Sequence, residues 1–377
     1  MTACATTVDG TFESVGRSGG AVRCPDADYP VRSTDAIVPQ ALVERYHLRG
    51  GETVVGRCKT DRRRRGGPPE LEEITLIEGA PPAEHVERPR FQSLTAIEPK
   101  QRIRFETANG PISMRIIDLM TPIGFGQRGL VVAPPRTGKT MLLQQMAHAV
   151  AVNHPDAYMV VLLVDERPEE VTDMRRTVHG QVIASSNDHD IASHVRIARL
   201  VIQKAKRLVE CGRDVVLLLD SLTRLGRAFN AHIRGAGRIM SGGLDILALT
   251  EPKAIFGAAR NAEEGGSLTI IASALIETGS RMDEVIFNEF KGTGNMEIVL
   301  SRELANMRIW PAIKLNESGT RKEELLLDAA SLNVAHQIRR TLVNRGPVRA
   351  MEPLVAAMTK FPTNAEFVAA FTQRPML

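Results

Sequence analysis

The stretch Gly129–Val150, GLVVAPPRTGKTMLLQQMAHAV, decides the fold. It opens with apolar β-formers ending at Val132, continues through a breaker-rich loop from Ala133 to Gly138, and enters an amphipathic helical segment at Lys139-Thr140. Strand, glycine-bearing loop and helix in that order are the context that gives a P-loop motif its meaning. Glycine lets the backbone approach phosphate oxygens, and the first helical turn directs unpaired N–H donors at them. Lys139 can reach the β- and γ-phosphates, and the Thr140 hydroxyl can ligate Mg²⁺. Ala133 stands at the first motif position, where glycine is usual, and Pro134-Pro135 stiffen the loop.

Outward from this stretch, GLVVA, YMVVLLVDE, DVVLLLD and LTIIASAL are continuous apolar runs separated by helix-length segments. Such runs are strands buried on both faces, so this part is expected to be α/β with a largely parallel sheet. Two runs end in acids: Asp165-Glu166-Arg167 follows Val164, and Asp220-Ser221 follows Leu219. Carboxylates at the C-terminal ends of parallel strands fall where such sheets bind ligands. Asp220 is the candidate anchor for hydrated Mg²⁺, and Glu166 the candidate to orient an attacking water. Either acid could instead cap the helix that follows. From Glu323 onward, Leu, Val, Ala and Met recur at helical spacing.

Residues 8–77 read differently, as VDGTFESV, GGAVRC, DAIVPQ, ETVVGRCKT and ELEEITLIEG with Gly, Pro and Asp between them. Four or five short strands suit a small barrel of the OB or cold-shock type, with a small sandwich as the alternative. The loop Asp61–Pro69, DRRRRGGPP, is either a solvated tip or a phosphate contact. GAPPAEHVERPR, Gly79–Arg90, reads as a linker. The expected division is therefore 1–80, a linker at 81–93, and 94–377.

With 377 residues, 43% hydrophobic and 24% charged, the composition is that of a globular protein. The longest apolar run, around Met159–Val164, is strand-sized, and MTACATTVDG has no signal-peptide core, so the expectation is a cytoplasmic protein with no membrane partner. Cys4, Cys24, Cys58 and Cys211 form no C-x-x-C pair and are expected as reduced thiols. Residues 1–90 carry 13 Lys and Arg against 14 Asp and Glu, a net of −1; with +4 for the chain, the remainder holds +5. Any basic footprint for nucleic acid lies in that larger part.

Long segments of the second part carry a resemblance. VVAPPRTGKTMLLQ, VVLLVDERPEEVTDM, VVLLLDSLTRLGRAFN, FGAARNAEEGGSLTIIASALIETGSRMDEVIFNEFKGTGNMEIVLSR and SGTRKEELL resemble the bacterial transcription termination factor Rho family, ring-shaped hexameric ATPases that translocate along RNA. The resemblance is dense over 94–330 and thin over 8–80, where it rests on strand layout and YHLRGGETVVGRC. It implies an α/β fold, a RecA-like P-loop ATPase core preceded by an OB/cold-shock-like barrel. It implies ATP and Mg²⁺ as cofactors, with single-stranded RNA, the RNA polymerase elongation complex and other copies of the chain in a homohexamer as partners.

Matched residue by residue, the family assigns nucleotide contacts to Arg136, Thr137, Gly138, Lys139, Thr140 and Met141, to Arg167, and to Gly124, Phe125, Gly126, Gln127, Arg128 and Gly129 of GFGQRG. Glu166 becomes the catalytic carboxylate, and Asp220 the acid on the Mg²⁺ side with Thr140. Trp310, the one tryptophan, falls where the family stacks a ring on adenine; without the resemblance it reads as a core residue. Arg321 matches the arginine finger presented to a neighbouring subunit, and Arg308 a second interface arginine. GAGRIMSGG (Gly235–Gly243) with Arg238, and ETGSRMDE (Glu277–Glu284) with Arg281, match two RNA-contacting pore loops, and charge on flexible loops suits backbone tracking.

The barrel departs from the pattern: Gly19, Ala21 and Ile37 stand where the family has aromatics that stack bases. Such stacking is worth ~1–3 kcal/mol per base, so a weakened primary site is expected. Arg23 and Arg62–Arg65 could still bind phosphate, and barrel-like sequence beginning within ten residues of Met1 suggests a short member without the usual preceding helical segment. The leading expectation is an RNA-dependent ATPase and 5′-to-3′ translocase or helicase that terminates transcription. A rotary or secretion ATPase subunit and a regulatory Rho-like subunit with weak primary RNA binding are the alternatives.

Overall fold

The computed structural model describes residues 6–16, 19–26, 28–59, 67–233 and 242–376. Five strands form the first unit: β1 (Thr6–Ser14), β2 (Gly19–Arg23), β3 (Ala36–Pro39), β4 (Thr53–Lys59) and β5 (Glu70–Ile77). They close in the order β1-β2-β3-β5-β4, the Greek-key closure of an OB-type barrel rather than a sandwich. Alternate residues face inward, so Phe12, Val22, Val38, Val54, Leu71 and Ile77 build the interior. Between β3 and β4 lies α1 (Gln40–Arg45), a short helix with no buried residue and no side-chain cap, which leaves little trace in the sequence.

The chain continues through α2 (Pro82–Glu87), β6 (Ala96–Ile97), β7 (Arg102–Ile103), α3 (Ile112–Met120), β8 (Ile123–Gly124), β9 (Arg128–Ala133) and α4 (Lys139–Asn153). β10 (Tyr158–Glu166), α5 (Pro168–Thr177), β11 (Gln181–Ser186), α6 (Ile191–Glu210), β12 (Asp214–Asp220), α7 (Leu222–His232) and α8 (Thr250–Phe256) follow. Then come β13 (Arg260–Ala262), β14 (Ser267–Leu275), α9 (Arg281–Phe290), β15 (Met296–Val299), α10 (Arg302–Asn306) and β16 (Gly319–Thr320). Three helices end the chain: α11 (Ala329–Leu342), α12 (Pro347–Met358) and α13 (Asn364–Gln373).

The main sheet runs β11-β10-β12-β14-β9-β15-β16, parallel except for the edge pair β15–β16, with β13 pairing antiparallel to β14 and β6 to β13. The four apolar runs recognised in the sequence are four adjacent strands at its centre. Their unbroken hydrophobicity has a direct cause. Val161, Leu163, Val216 and Leu218 belong to one core with α4 and the C-terminal helices, whereas Val160, Leu162, Leu217 and Leu219 belong to a second core with α6 and α7. A sheet covered on both faces has no polar side.

The segment between barrel and sheet packs closely. Phe91 N donates to Glu210 Oε1 at 2.6 Å, Arg49 forms two bonds with Glu210 at 2.9 and 2.7 Å, and Arg207 bridges Glu210 (2.9 Å) and Glu52 (3.4 Å). Glu210 ends α6, so this buried ionic knot ties the barrel to the helix that covers β10 and β12. Among the described residues, no helix is long and apolar enough to cross a membrane.

Candidate active site

At the C-terminal end of β9 the chain turns through a tight loop whose backbone takes positive φ at Arg136 (65°) and Gly138 (84°). Thr137 Oγ1 donates to Pro134 O at 2.7 Å and holds the turn closed. A Cβ on Gly138 would stand 2.8 Å from the Trp310 ring, so both the conformation and the space demand glycine. Gly138 carries no side-chain cap, which leaves the first-turn N–H groups of α4 facing the loop.

Lys139 points from this turn to the ends of two neighbouring strands. Its Nζ pairs with Asp220 Oδ1 and lies 3.4 Å from Glu166 Oε1. Ser273 Oγ on β14 donates to Asp220 Oδ1 at 2.6 Å. Glu166 is brought inward by a bulge after Val164, with Asp165 at φ 55°, and is only 2% exposed. On its other side Arg224 of α7 stands 3.2 Å from Glu166 Oε2. Burial pushes the Glu166 carboxyl above its ordinary range and Asp220 adds to this, while Lys139 and Arg224 pull the other way. Burial disfavours the Lys139 ammonium, but Asp220 and Glu166 outweigh it and hold its pKa above the usual lysine value. Thr140 Oγ1 has only a long 3.5 Å contact, to Glu170. Asp220 and Glu166 meet at Lys139 and Thr140 is the next residue, so the side chains on offer are hydroxyl and carboxylate oxygens, the hard donors that Mg²⁺ takes.

Beside the loop opens a recess of about 160 Å³, walled by Pro111, Ile112, Met141, Leu142, Trp310 and Pro311 among others. Trp310 is 43% exposed and Met141 63%, so Trp310 is no core residue but one wall of an apolar slot next to the phosphate loop. Arg167 caps the start of α5 and is exposed. Arg308, at φ 61°, lies exposed between α10 and Trp310.

The remaining expected residues fall elsewhere. Gly124–Gly129 is not at the phosphate loop of its own chain: it leads into the start of β9, and the loop follows the end. A strand of that length separates the two by roughly 17 Å at ~3.3 Å per residue. Its side chains are committed locally, Phe125 edge-on to His154, Gln127 to Asn295, and Arg128 to the carbonyls of Thr293 and Ala259. Arg321 follows edge strand β16, exposed and four strand positions from β12, which carries Asp220. At ~4.8 Å per strand that is about 19 Å, beyond the reach of a side chain within one chain.

Arg281 is exposed in the first turn of α9, and a Cβ on Gly242 would meet the backbone of Met282 at 2.9 Å, so the described end of the first Gly-rich loop adjoins the second. Arg238 and the Arg62–Arg65 loop lie outside the described residues.

On the barrel, Ala21 pairs with Ile37 across β2 and β3, and Gly19 with Pro39. The cleft there is lined by Gly19, Ala21, Arg23, Arg32, Asp35 and Ile37 among others, with no aromatic. Arg23 is not free for phosphate, contrary to the sequence expectation. The residue is 6% exposed, and its guanidinium is paired at 2.6 Å with both Glu13 and Asp35. Two carboxylates close in space but 10 and 12 residues away in the chain have neutralised it.

Arg224, Ser273 and Glu170 escaped the sequence reading although the first two meet the site through short contacts, and so did Asn295, which binds Gln127 and Arg128 at the far end of β9. Arg224 sits three residues after Ser221 in the helix following Asp220, a spacing that returns it to the strand ends. Nothing local marks Ser273 or Asn295.

The chain matches the family model for the ATP synthase alpha/beta family nucleotide-binding domain over residues 113–320. A curated transcription termination factor Rho from Cereibacter sphaeroides is 50% identical over 362 residues, covering 95% of this chain and 86% of that one. That from Karelsulcia muelleri is 48% identical and covers 92% of each, and that from Salmonella typhimurium is 46% identical, covering 95% and 86%. Among solved structures, an ATPase of the type III secretion system of pathogenic bacteria superposes with a TM-score of 0.60 at 21% identity, over 80% of this chain and 89% of that one. The ATP synthase subunit NeqB from Nanoarcheaum equitans gives 0.59 at 17%, over 75% and 78%. These two share the fold, whereas identity near one half over almost the whole length is with the Rho proteins. The chain belongs to the transcription termination factor Rho family.

Proposed function

We propose that this chain is an ATP-hydrolysing subunit of a homohexameric ring that moves 5′-to-3′ along single-stranded RNA and releases transcripts from the RNA polymerase elongation complex, in the cytoplasm. The observation that carries the reading is the separation of Arg321 from Lys139, Glu166 and Asp220. One chain holds a complete phosphate cradle and also a cation too distant to serve it, so a full site forms where two copies meet.

Each group then has a task. The first-turn amides of α4, with Arg136 through Met141, hold the phosphates, while Trp310 and Met141 cover the base. Arg167, exposed at the start of α5 next to Glu166, is assigned a nucleotide contact. Thr140 and Asp220 would hold Mg²⁺, which when bound offsets phosphate charge. Glu166 orients water on the transferring phosphate, and Lys139 exchanges its carboxylate partners for phosphate oxygen. Arg321 of an adjacent copy stabilises transition-state charge, a contribution worth ~10³–10⁵ in rate. Arg238 and Arg281 on adjoining loops contact the RNA backbone, and Arg308 lies at the subunit contact. The working division is barrel 1–80, connection 81–93 and ATPase unit 94–377.

ATP hydrolysis with and without poly(C), poly(U) and duplex, over a salt series, tests this. Single-stranded RNA should stimulate turnover, Lys139→Ala should abolish it, and Glu166→Gln should abolish it with ATP binding retained. Turnover indifferent to RNA, or intact in Glu166→Gln, refutes the reading. A second reading, a regulatory subunit of such a ring with weak primary RNA binding, draws on the locked Arg23 and the cleft without aromatics. It predicts stimulation only when another subunit loads the RNA.

A further inference from the structure

The run GFGQRG lies with Arg321, not with the phosphate loop, and its buried amide has a clear partner. Gln127 is 2% exposed; its Nε2 donates to Asn295 Oδ1 at 2.8 Å and its Oε1 accepts from Gly124 N at 3.3 Å. The same Asn295 Oδ1 accepts from Arg128 N at 2.9 Å, and Asn295 N donates back to Arg128 O at 3.0 Å. Asn295 is thereby clamped on its side chain and its backbone, and its carbonyl accepts the backbone N–H of Arg321 at 2.9 Å.

Arg321 depends on that clamp because little else fixes it. β16 is two residues long, paired only through Met296↔Thr320 and Glu297↔Gly319, and Thr320 Oγ1 donates to Pro122 O at 2.7 Å. Beyond Arg321 the chain leaves the sheet through Lys322 at φ 55°. The last anchor before that turn is the Asn295 carbonyl.

We propose that Gln127 and Asn295 are positioning residues that set the backbone of Arg321 and so aim its guanidinium at the nucleotide of the adjoining copy. This rests on the reading of Arg321 given above. It reassigns GFGQRG from holding nucleotide in its own chain to bracing the cation that one chain lends to the next.

The test uses the full chain with poly(C), reading ATP turnover together with the fluorescence of Trp310, the sole tryptophan, which stands beside the phosphate loop and reports binding at the chain's own site. Asn295→Leu keeps the side-chain shape but removes the acceptor. It should lower kcat about ten- to a hundredfold, as small misplacements of a catalytic group do, with KM and the Trp310 titration midpoint moved by no more than about twofold. Asn295→Asp keeps the acceptor and should restore kcat to within about threefold of the parent. If Asn295→Leu fails to assemble, Gln127→Met, which removes the Gln127 donor to Asn295 and leaves the Asn295 side chain intact, carries the same expectation. Undiminished kcat in an assembled Asn295→Leu ring overturns the proposal, as does a loss confined to KM and the Trp310 midpoint, which would return the run to nucleotide binding. Arg321→Ala separates the two levels: full turnover in that variant defeats the finger reading itself.

Discussion

Replacing Arg224 by Gln removes the cation 3.2 Å from Glu166 Oε2 and leaves Lys139, 3.4 Å from the other oxygen, as the nearest positive charge. At that distance, with an effective dielectric near 20, the Coulomb attraction is about 332/(20 × 3.2), or ~5 kcal/mol. Arg224 is 23% exposed, so water can take over part of its role, and half of that figure, ~2–3 kcal/mol, is the better expectation. Burial and Asp220 already raise the Glu166 pKa, and Arg224 is one of the two groups that oppose them. Glu166 must be ionised to orient water, so losing Arg224 should carry the acid limb of the kcat–pH profile upward by about one to two pH units. The loss is therefore largest in acid and fades in alkali. Steady-state turnover of parent and variant from pH 5.5 to 9, at saturating ATP and poly(C), measures it. A deficit equal at every pH, or none, refutes the electrostatic account. A shifted Trp310 binding midpoint would instead assign Arg224 to nucleotide contact.

Other consequences can be checked separately. Burial, then the charges of Arg49, Arg88 and Arg207, push His85 down to about 4 from 6.5, so the unfolded chain binds the proton more tightly. Stability should fall as pH drops from 6.5 towards 4, by up to ~3 kcal/mol, and His85→Gln should flatten that dependence in urea titrations. Glu210→Ala leaves buried Arg207 with only Glu52 and should cost about 3–5 kcal/mol, read as an earlier denaturation midpoint, with Glu210→Gln in between. On the barrel, Ala21→Tyr should tighten binding of a labelled oligo(C) by about five- to a hundredfold, the value of one stacked base. Gly19→Tyr should not, because a Cβ there would meet Val38 O at 2.2 Å.

The parallel sheet was legible because both of its faces are covered: each central strand had to be apolar at every position, and the unbroken runs say so. The phosphate loop was legible because its lysine, its glycine and its flanking elements are contiguous. What escaped was built from pairs distant in sequence. Arg23 reads as a free cation until Glu13 and Asp35 fold against it, and Ser273 is one small residue in a strand until it meets Asp220. The place of GFGQRG is hidden for a related reason. Its nearness in sequence to the phosphate loop spans a whole strand, and β9 carries its two ends to opposite ends of the sheet. The connecting segment looked like a polar tether, yet Phe91 and Glu210 bind it to α6.

The position of Arg321 beyond the edge strand, with the phosphate cradle at the centre of the sheet, also constrains symmetry. A twofold pair could exchange the two arginines only reciprocally, within one interface, which ends the assembly at two copies. The ring proposed above instead needs a head-to-tail contact, in which each copy takes Arg321 from one neighbour and lends its own to another, and such a contact either closes or runs on as a helix. The angle between successive copies is then set by where β16 lies relative to β9. A one-residue slip in the Met296↔Thr320 register would alter that angle as well as the aim of Arg321.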